Sequence, residues 1–340
     1  MKLIAINDDD ITVTSPRTSG KSSRMTASTK VLPNPGITKI CSTTKAPPIK
    51  PPVLRPKTVT KEKREKRKIG FGFWVSIGWM VLVVIAAFLA PVLPIPDPDQ
   101  TGAGGRLDAP NWDNWFGTDT NGRDMFSRTI WGSRVSLTVG FFAIVFGFAV
   151  GGPLGIVAGF FKGATDKFLS IIIFILFAFP GLVLALLIIS LLGQTLAVVC
   201  LTIGIIGVAP VARLARAITI SISEREFVAA ARILGSTNRR IMIKEILPNV
   251  TIPMGALAFL GMALAIVGEG GLAFLGLSVE EGFSWGKMIV LGSASRTLQK
   301  APWVSMFPIG VMFLTVMSLN YAGDRLRDFF DVREMGIGGG

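Results

Sequence analysis

The chain has 340 residues, half of them hydrophobic, a mean hydropathy of +0.56 and a formal net charge of +13. Long uncharged runs at that apolar weight describe a polytopic membrane protein rather than a globule around one core. Histidine is absent, and Cys41 and Cys200 stand in unlike contexts, which excludes a His/Cys metal cluster, a Cys-His nucleophile and a disulfide framework.

Residues 1–69 differ from everything that follows. They hold 16 of the 35 Lys and Arg but 5 of the 22 acids, with repeated Pro, Ser and Thr and almost no apolar periodicity. This composition predicts a disordered basic tail. Its end, KEKREKRK (Lys61 to Lys68), abuts the first apolar run, as a juxtamembrane anchor held by anionic lipid on the cytoplasmic side would. Nucleic-acid binding is the competing reading of that charge, and no folded basic domain supports it. The opening MKLIAINDDD lacks the apolar core of a signal peptide, and Met25, in MTAST, is a candidate start. The stretch SPRTSGKS (Ser15 to Ser22) approximates a phosphate-binding loop, but Ser15 stands where the first glycine belongs and no strand or helix flanks it. No nucleotide site is expected in this chain.

A hydrocarbon core about 30 Å thick needs roughly 20 apolar residues as helix. The charge-free intervals give one span at Ile69–Pro96 and another at Val135–Phe161. Phe168–Ala212 carries no charge for 45 residues, about 68 Å as helix, which is two crossings folded at SLLGQT (Ser190 to Thr195). Ile246–Gly268 and Ala301–Gly323 complete six. The fold class is therefore an all-α polytopic membrane protein. An even count puts both termini on one side. The basic tail, the loop with Lys162 and Lys167, and the seven basic residues between Arg213 and Glu245 share that side, which the positive-inside rule makes cytoplasmic. The expected organisation is tail 1–69, first span 70–96, extracytoplasmic loop 97–134, a five-span core at 135–330 with a cytoplasmic loop at 213–248, and a cytoplasmic tail at 331–340.

All five later spans contain proline, at 153, 180, 210, 253 and 308, and each is expected to kink its helix. With stretches such as VGGPLGIVAG (Val150 to Gly159), the set favours closely packed helices able to rock. The one ionisable candidate is Glu269, near the outer end of the fifth span. It either lines a path or pairs with Arg296 or Lys300, or else it reaches the interface and is solvated there. In the outer loop Asn121-Gly122 is a turn signal. Asp124 is placed to start a short surface helix running through Arg128 to Arg134 at the mouth of the second span. Asp119, Arg123, Asp124 and Arg128 form either a surface that receives a partner or an anchor at the interface, and the two acids are too sparse for calcium.

The loop REFVAAARILGSTNRRIMIKEILPN (Arg225 to Asn249) is a polar island in an apolar chain. With Phe227 at 0° and 100° per residue, Ala231 falls at 40°, Leu234 at −20° and Ala230 at −60°, with Arg225 and Arg232 near 150°. This predicts a short amphipathic helix with an aromatic knob and a basic back. Gly235 ends it in the left-handed conformation, and Asn238 caps a second short helix leading to Pro248. So narrow an apolar face calls for a partner's groove.

From about Phe71 to Arg333 the chain resembles the inner-membrane permease subunits of binding-protein-dependent ABC importers, in particular the second, C-type permease of the dipeptide, oligopeptide and nickel group. Ala230, Ala231, Gly235, Leu247 and Pro248 occupy places of the family's cytoplasmic EAA loop. FGTDTNGRDMFSRTIWGSRVSL (Phe116 to Leu137), FLGLSVEEGFSWGKMI (Phe274 to Ile289), APW (Ala301 to Trp303) and GDRLRDFFDVR (Gly323 to Arg333) are similar to further segments of the group. Ala229 stands where the loop's glutamate would be, Glu245 replaces an isoleucine, and Glu226 matches an acidic position of the peptide group. The long basic tail also departs from the family's short N-terminus. The resemblance implies the six-helix type I importer permease fold with a coupling helix, a role as non-enzymatic permease, and pairing with a homologous permease. It further implies one or two ABC ATPase subunits that carry the ATP and magnesium, an extracytoplasmic binding protein, and short peptides as cargo, with nickel chelates and glutathione as alternatives. Glu226, Phe227, Ala230, Ala231, Leu234 and Gly235 would form the coupling contact. A secondary carrier would need intramembrane charges or inverted repeats, which are not evident.

Overall fold

In a bilayer every backbone N–H and C=O must be satisfied within the protein, so apolar runs of span length fold as helices. The structure, a computed structural model, describes residues 70–337, with side chains as far as Phe329. The expectations for the basic tail, Cys41, Met25 and the SPRTSGKS stretch lie outside the described residues.

The described residues are mostly helical, and the longest connection is the outer loop, residues 90–124. α1 (Phe71–Leu89) leads through the outer loop into α2 (Met125–Phe160). α3 (Ala164–Ala178) and α4 (Gly181–Leu192) follow, then α5 (Leu196–Ser223) and the short α6 (Glu226–Ile233). α7 (Asn238–Ile241) passes through a π-helical turn (Met242–Ile246) into α8 (Leu247–Phe274) without a break. α9 (Trp285–Gly292) and α10 (Ser295–Lys300) fill the loop before α11 (Trp303–Ile337). Five stretches are long and apolar enough to cross a membrane, and the bent pair α3–α4, taken as one span, makes six. α11 runs on past residue 330, so the helix includes most of the stretch expected as a C-terminal tail.

The turn between the third and fourth crossings falls where the sequence places it. α4 stops at Leu192, Gly193 follows, and Thr195 caps α5 by accepting from the Val198 N–H. The prolines behave less uniformly than expected. Pro153, Pro210, Pro253 and Pro308 lie inside continuous helices, whereas Pro180 ends one and starts the next, with an 80° bend between α3 and α4. The residue before a proline is driven to extended backbone, and Phe179 takes φ −72°, ψ 126°. Gly181 directly after Pro180 adds a second helix-weakening residue, so here the two halves part.

α2, at 36 residues about 54 Å long, is continuous from the outer loop to the far side. The separate surface helix expected before Val135 is instead its first turns. Along one face of α2 the glycines recur every four residues, at 147, 151, 155 and 159, and α5 lies directly against them. A Cβ built on Gly155 would come within 2.7 Å of the Ala215 Cβ, and one on Gly159 within 2.8 Å of the Thr219 Cβ. Lipid gives helices no hydrophobic reason to associate, so this backbone approach is what holds the pair.

The seam yields a paired expectation. Gly155→Val should lower the thermal stability of the detergent-purified protein by roughly 1–3 kcal/mol or more, as overpacking does. Gly152→Ala, where an added Cβ meets nothing within 4 Å, should leave the melting temperature unchanged or slightly raised.

Candidate functional site

The polar island folds as a helix, a left-handed stop and a second helix. Glu226 in the first turn and Arg232 in the last turn of α6 suit the helix dipole. Its end is a Schellman arrangement: the Ser236 N–H donates to the Ala231 carbonyl and the Gly235 N–H to that of Arg232, each at 3.0 Å. Gly235 has φ +75°, the left-handed conformation expected of it. The residue preceding α7 is Thr237, and Asn238 is the first helical residue rather than the cap.

The apolar surface of α6 divides in two. Val228 is fully buried, and Phe227 and Ala231 pack partly buried on the same core, which Ile156 and Phe160 of α2, Val211, Ala215 and Ile222 of α5, and Ile241 and Ile246 build. Ala229 and Ala230 face outward with Glu226, followed by Ile233 and Leu234, 86% and 84% exposed. Of the expected face, then, Ala230 and Leu234 are presented, Phe227 and Ala231 are turned inward, and Ile233 is gained. The helical wheel of EFVAAARIL is apolar on nearly every side, so periodicity could not choose the exposed half. Val228 and Ile233 lie about 140° apart on it, one for each surface.

Ion pairs steady the neighbouring elements. Arg216 of α5 grips Asp166 of α3 through two parallel bonds, Nε to Oδ1 at 2.6 Å and Nη2 to Oδ2 at 2.8 Å, and the Ser170 hydroxyl adds a third at 3.1 Å. Lys162 reaches Glu224 across the surface at 3.1 Å. Away from this end, α2, α4, α5 and α8 enclose a groove of about 590 Å³ lined by residues such as Ile144, Phe148, Leu182, Ile206, Leu260 and Leu264. No ionisable side chain lines it.

Glu269 is not in that groove. It is 1% exposed on α8, and its Oε1 accepts from the hydroxyls of Ser278 at 2.8 Å and Ser284 at 2.6 Å. It is therefore neither solvated at the interface nor held by Arg296 or Lys300. It ties α8 to the turn before α9, whose Trp285 donates its indole N–H to the Thr129 carbonyl of α2 at 3.0 Å.

The outer segment is a knot around Asp119. The turn predicted at Asn121-Gly122 forms, and the Asp119 carboxylate accepts from the backbone N–H groups of Asn121 and Arg123, at 2.7 and 3.0 Å. Its other oxygen pairs with Arg128, whose guanidinium lies 3.9 Å from the Phe283 ring centre. Asp124 caps α2 by accepting from the Ser127 N–H at 2.7 Å. Asp119, Asp124 and Arg128 are buried, so they organise the segment, while Arg123 stays partly exposed beside Asp99, 3.9 Å away. Lys287 of α9 donates to the carbonyls of Val279, Glu280 and Gly282. Burial, and then the charge of Arg128, lower its pKa from the ordinary lysine value.

Six apolar crossings, the bent pair counted once, with a glycine seam and a charge-free groove, describe a polytopic helical membrane protein. Residues 151–334 match the family of binding-protein-dependent transport system inner membrane components. The chain belongs to this family, the permeases of ABC importers. It is 39% identical over 249 residues to the dipeptide transport system permease protein DppC of Alkalihalophilus pseudofirmus, covering 73% of this chain and 81% of that protein. It is 34% identical over 285 residues to the glutathione transport system permease protein GsiD of Pectobacterium atrosepticum, covering 82% and 94%. Among solved structures, an inward-facing MetNI methionine ABC transporter matches with a TM-score of 0.51 and 19% identity, over 60% of this chain and 97% of that one. That last likeness is one of fold.

The buried cap has a pH signature. Burial raises the Asp124 pKa above its ordinary 3.8, against the lowering effect of the backbone N–H groups of Ser127 and Phe126. The folded state then takes up this proton more readily than the unfolded chain. The group's contribution is fully present at low pH and is lost as pH rises from the ordinary carboxylate value through the raised one. Asp124→Asn, which keeps the cap without the charge, should remove this dependence; Asp124→Ala should remove it as well and, having lost the cap, be about 1 kcal/mol less stable than Asp124→Asn. Melting temperatures taken from acid to mildly basic pH would check both.

Proposed function

We propose that this chain is one of two homologous permease subunits of an ATP-driven importer of short peptides, and that α6 is its coupling helix. In this reading ATP and magnesium are bound by one or two ABC ATPase subunits on the cytoplasmic side. A binding protein delivers cargo to the opposite face, and both termini are cytoplasmic. The observation that carries the proposal is the exposed pair Ile233 and Leu234 at the end of a helix whose other side is locked into the α2–α5 core. Two large apolar side chains held in water beside Glu226 are costly unless something covers them, and covering each contributes about 1.5–3 kcal/mol. Force applied there reaches α2 and α5 through Val228, Phe227 and Ile222, and those helices flank the apolar groove.

A groove without ionisable groups discriminates little by charge, which suits varied short peptides selected elsewhere. The named cargoes of the relatives, dipeptide and glutathione, are both short peptides. Glutathione is the second reading because permeases so named cover more than nine tenths of their length with this chain in one case. Nickel chelates have no such support.

In the assembled transporter, Ile233→Asp and Leu234→Asp should leave membrane insertion and subunit pairing intact and lower ATP-driven peptide uptake by at least about tenfold, the effect of losing some 1.4 kcal/mol of contact. Ala230→Gln should give a smaller defect. Phe227→Asp is a poorer probe, since Phe227 also packs on the chain's own core. Uptake of the Leu234→Asp transporter at the normal rate would refute the coupling role.

A further inference from the structure

A cavity of about 270 Å³ opens between the Asp119 knot, the start of α2, α9 and the start of α11. Its floor is apolar, with Met125, Met288 and Val304 buried. Three cations line it, Arg123, Arg128 and Lys287, against one anion, Asp119. Asp119 is already engaged by Arg128 and by two backbone N–H groups. Arg128 is 3% exposed, and its Nε has no hydrogen-bond partner. The same holds for the buried Nε of Arg123, whose Nη1 stands 3.9 Å from the exposed Asp99. A guanidinium N–H left without an acceptor in a buried place is costly, and a carboxylate is the acceptor whose geometry and charge answer it.

We infer that this cavity is a receptor for one carboxylate, supplied by an acidic side chain of the binding protein when it docks on the outer face. The inference rests on the proposed function for the existence and the face of that docking. Two observations favour the binding protein over the cargo as the source. The cavity shares no lining residue with the apolar groove, and Arg123 and Leu291 leave its rim open to water. The aliphatic floor receives the methylenes of a glutamate or aspartate, Arg123 supplies a guanidinium N–H without an acceptor, and Lys287, whose ammonium donates to three backbone carbonyls, adds positive charge that no anion lining the cavity takes up. Arg128 holds the floor of the site through its ring contact with Phe283 and its bond to Asp119.

The test uses the complete transporter in proteoliposomes with its own binding protein, measuring how ATPase stimulation depends on binding-protein concentration at low salt. Arg123→Gln should raise the half-saturating concentration about tenfold, as loss of an interfacial charge contact does, with the maximal rate retained. Lys287→Gln should do the same and Lys287→Arg should not, which separates charge from any disturbance of the 279–282 turn. The shift should shrink at high salt and be equal for binding protein loaded with a free peptide and with the corresponding peptide amide. A shift seen only with the free peptide would assign the carboxylate to the cargo and overturn the stated source. Unchanged half-saturation in both variants would overturn the receptor. No stimulation of the wild-type transporter by any concentration of binding protein would instead overturn the function on which the inference stands.

Discussion

The fold depends on how closely two helix backbones approach. Gly147, Gly151, Gly155 and Gly159 remove the side chains from one strip of α2, and α5 comes in against the bare backbone. In water such an approach would be a by-product of hydrophobic burial; in lipid, packing itself must supply the attraction, because lipid tails solvate leucine as well as another helix does. Steric intolerance comes with the closeness. Nothing larger than hydrogen fits at Gly151, Gly155 or Gly159 without displacing α5 backbone or side chains, so the two helices move as one rod.

Everything assigned to function is attached to that rod. At one end α6 sits on a core shared by both helices, with Val228 as its buried peg and Ile233 and Leu234 as its outward ridge. Asp166, gripped by Arg216, fastens the start of α3 to α5 beside it. At the other end the Asp119 knot and the Asp124 cap fix where α2 begins, and Trp285 and Glu269 bind the α8–α9 turn to the same helix bundle. Between them the groove is walled by α2, α4, α5 and α8. A displacement of α6 therefore reaches the groove through rigid elements rather than through loops. The bend at Pro180 gives α4 a course of its own, separate from α3, along this wall.

Much of this architecture is legible in the sequence because the bilayer imposes a length. The charge-free intervals locate six crossings, and Gly193 and Thr195 mark the fold between two of them. The left-handed stop at Gly235 and the turn at Asn121-Gly122 were equally readable, since few residues tolerate those conformations. What escaped was whatever depends on partners distant in sequence. Glu269 finds its hydroxyls at Ser278 and Ser284 only after α8 has ended and the chain has turned back, so composition alone made it a path residue or a surface group. Asp119, Asp124 and Arg128 look like a charged surface in sequence and fold into an internal knot, because each satisfies a neighbour's backbone or charge. α6 was located, but its outward half was not, because alternating apolar residues on a short helix give no direction until the core beneath is known. Pro180 differed from the other four prolines through its companion Gly181, a signal present in the sequence yet easily lost among so many prolines and glycines.

The central claim is that the outward ridge of α6 is covered by an ATPase subunit in the working transporter. Its most direct test places a single cysteine at Leu234, in a background where Cys41 and Cys200 are replaced by serine, and measures its labelling by a membrane-impermeant maleimide in inside-out vesicles. The account predicts that the thiol reacts readily when the permease is made without ATPase subunits, is protected when they are present, and then forms a short cross-link to one of them. Equal, rapid labelling with and without the ATPases, at every stage of the nucleotide cycle, would contradict it.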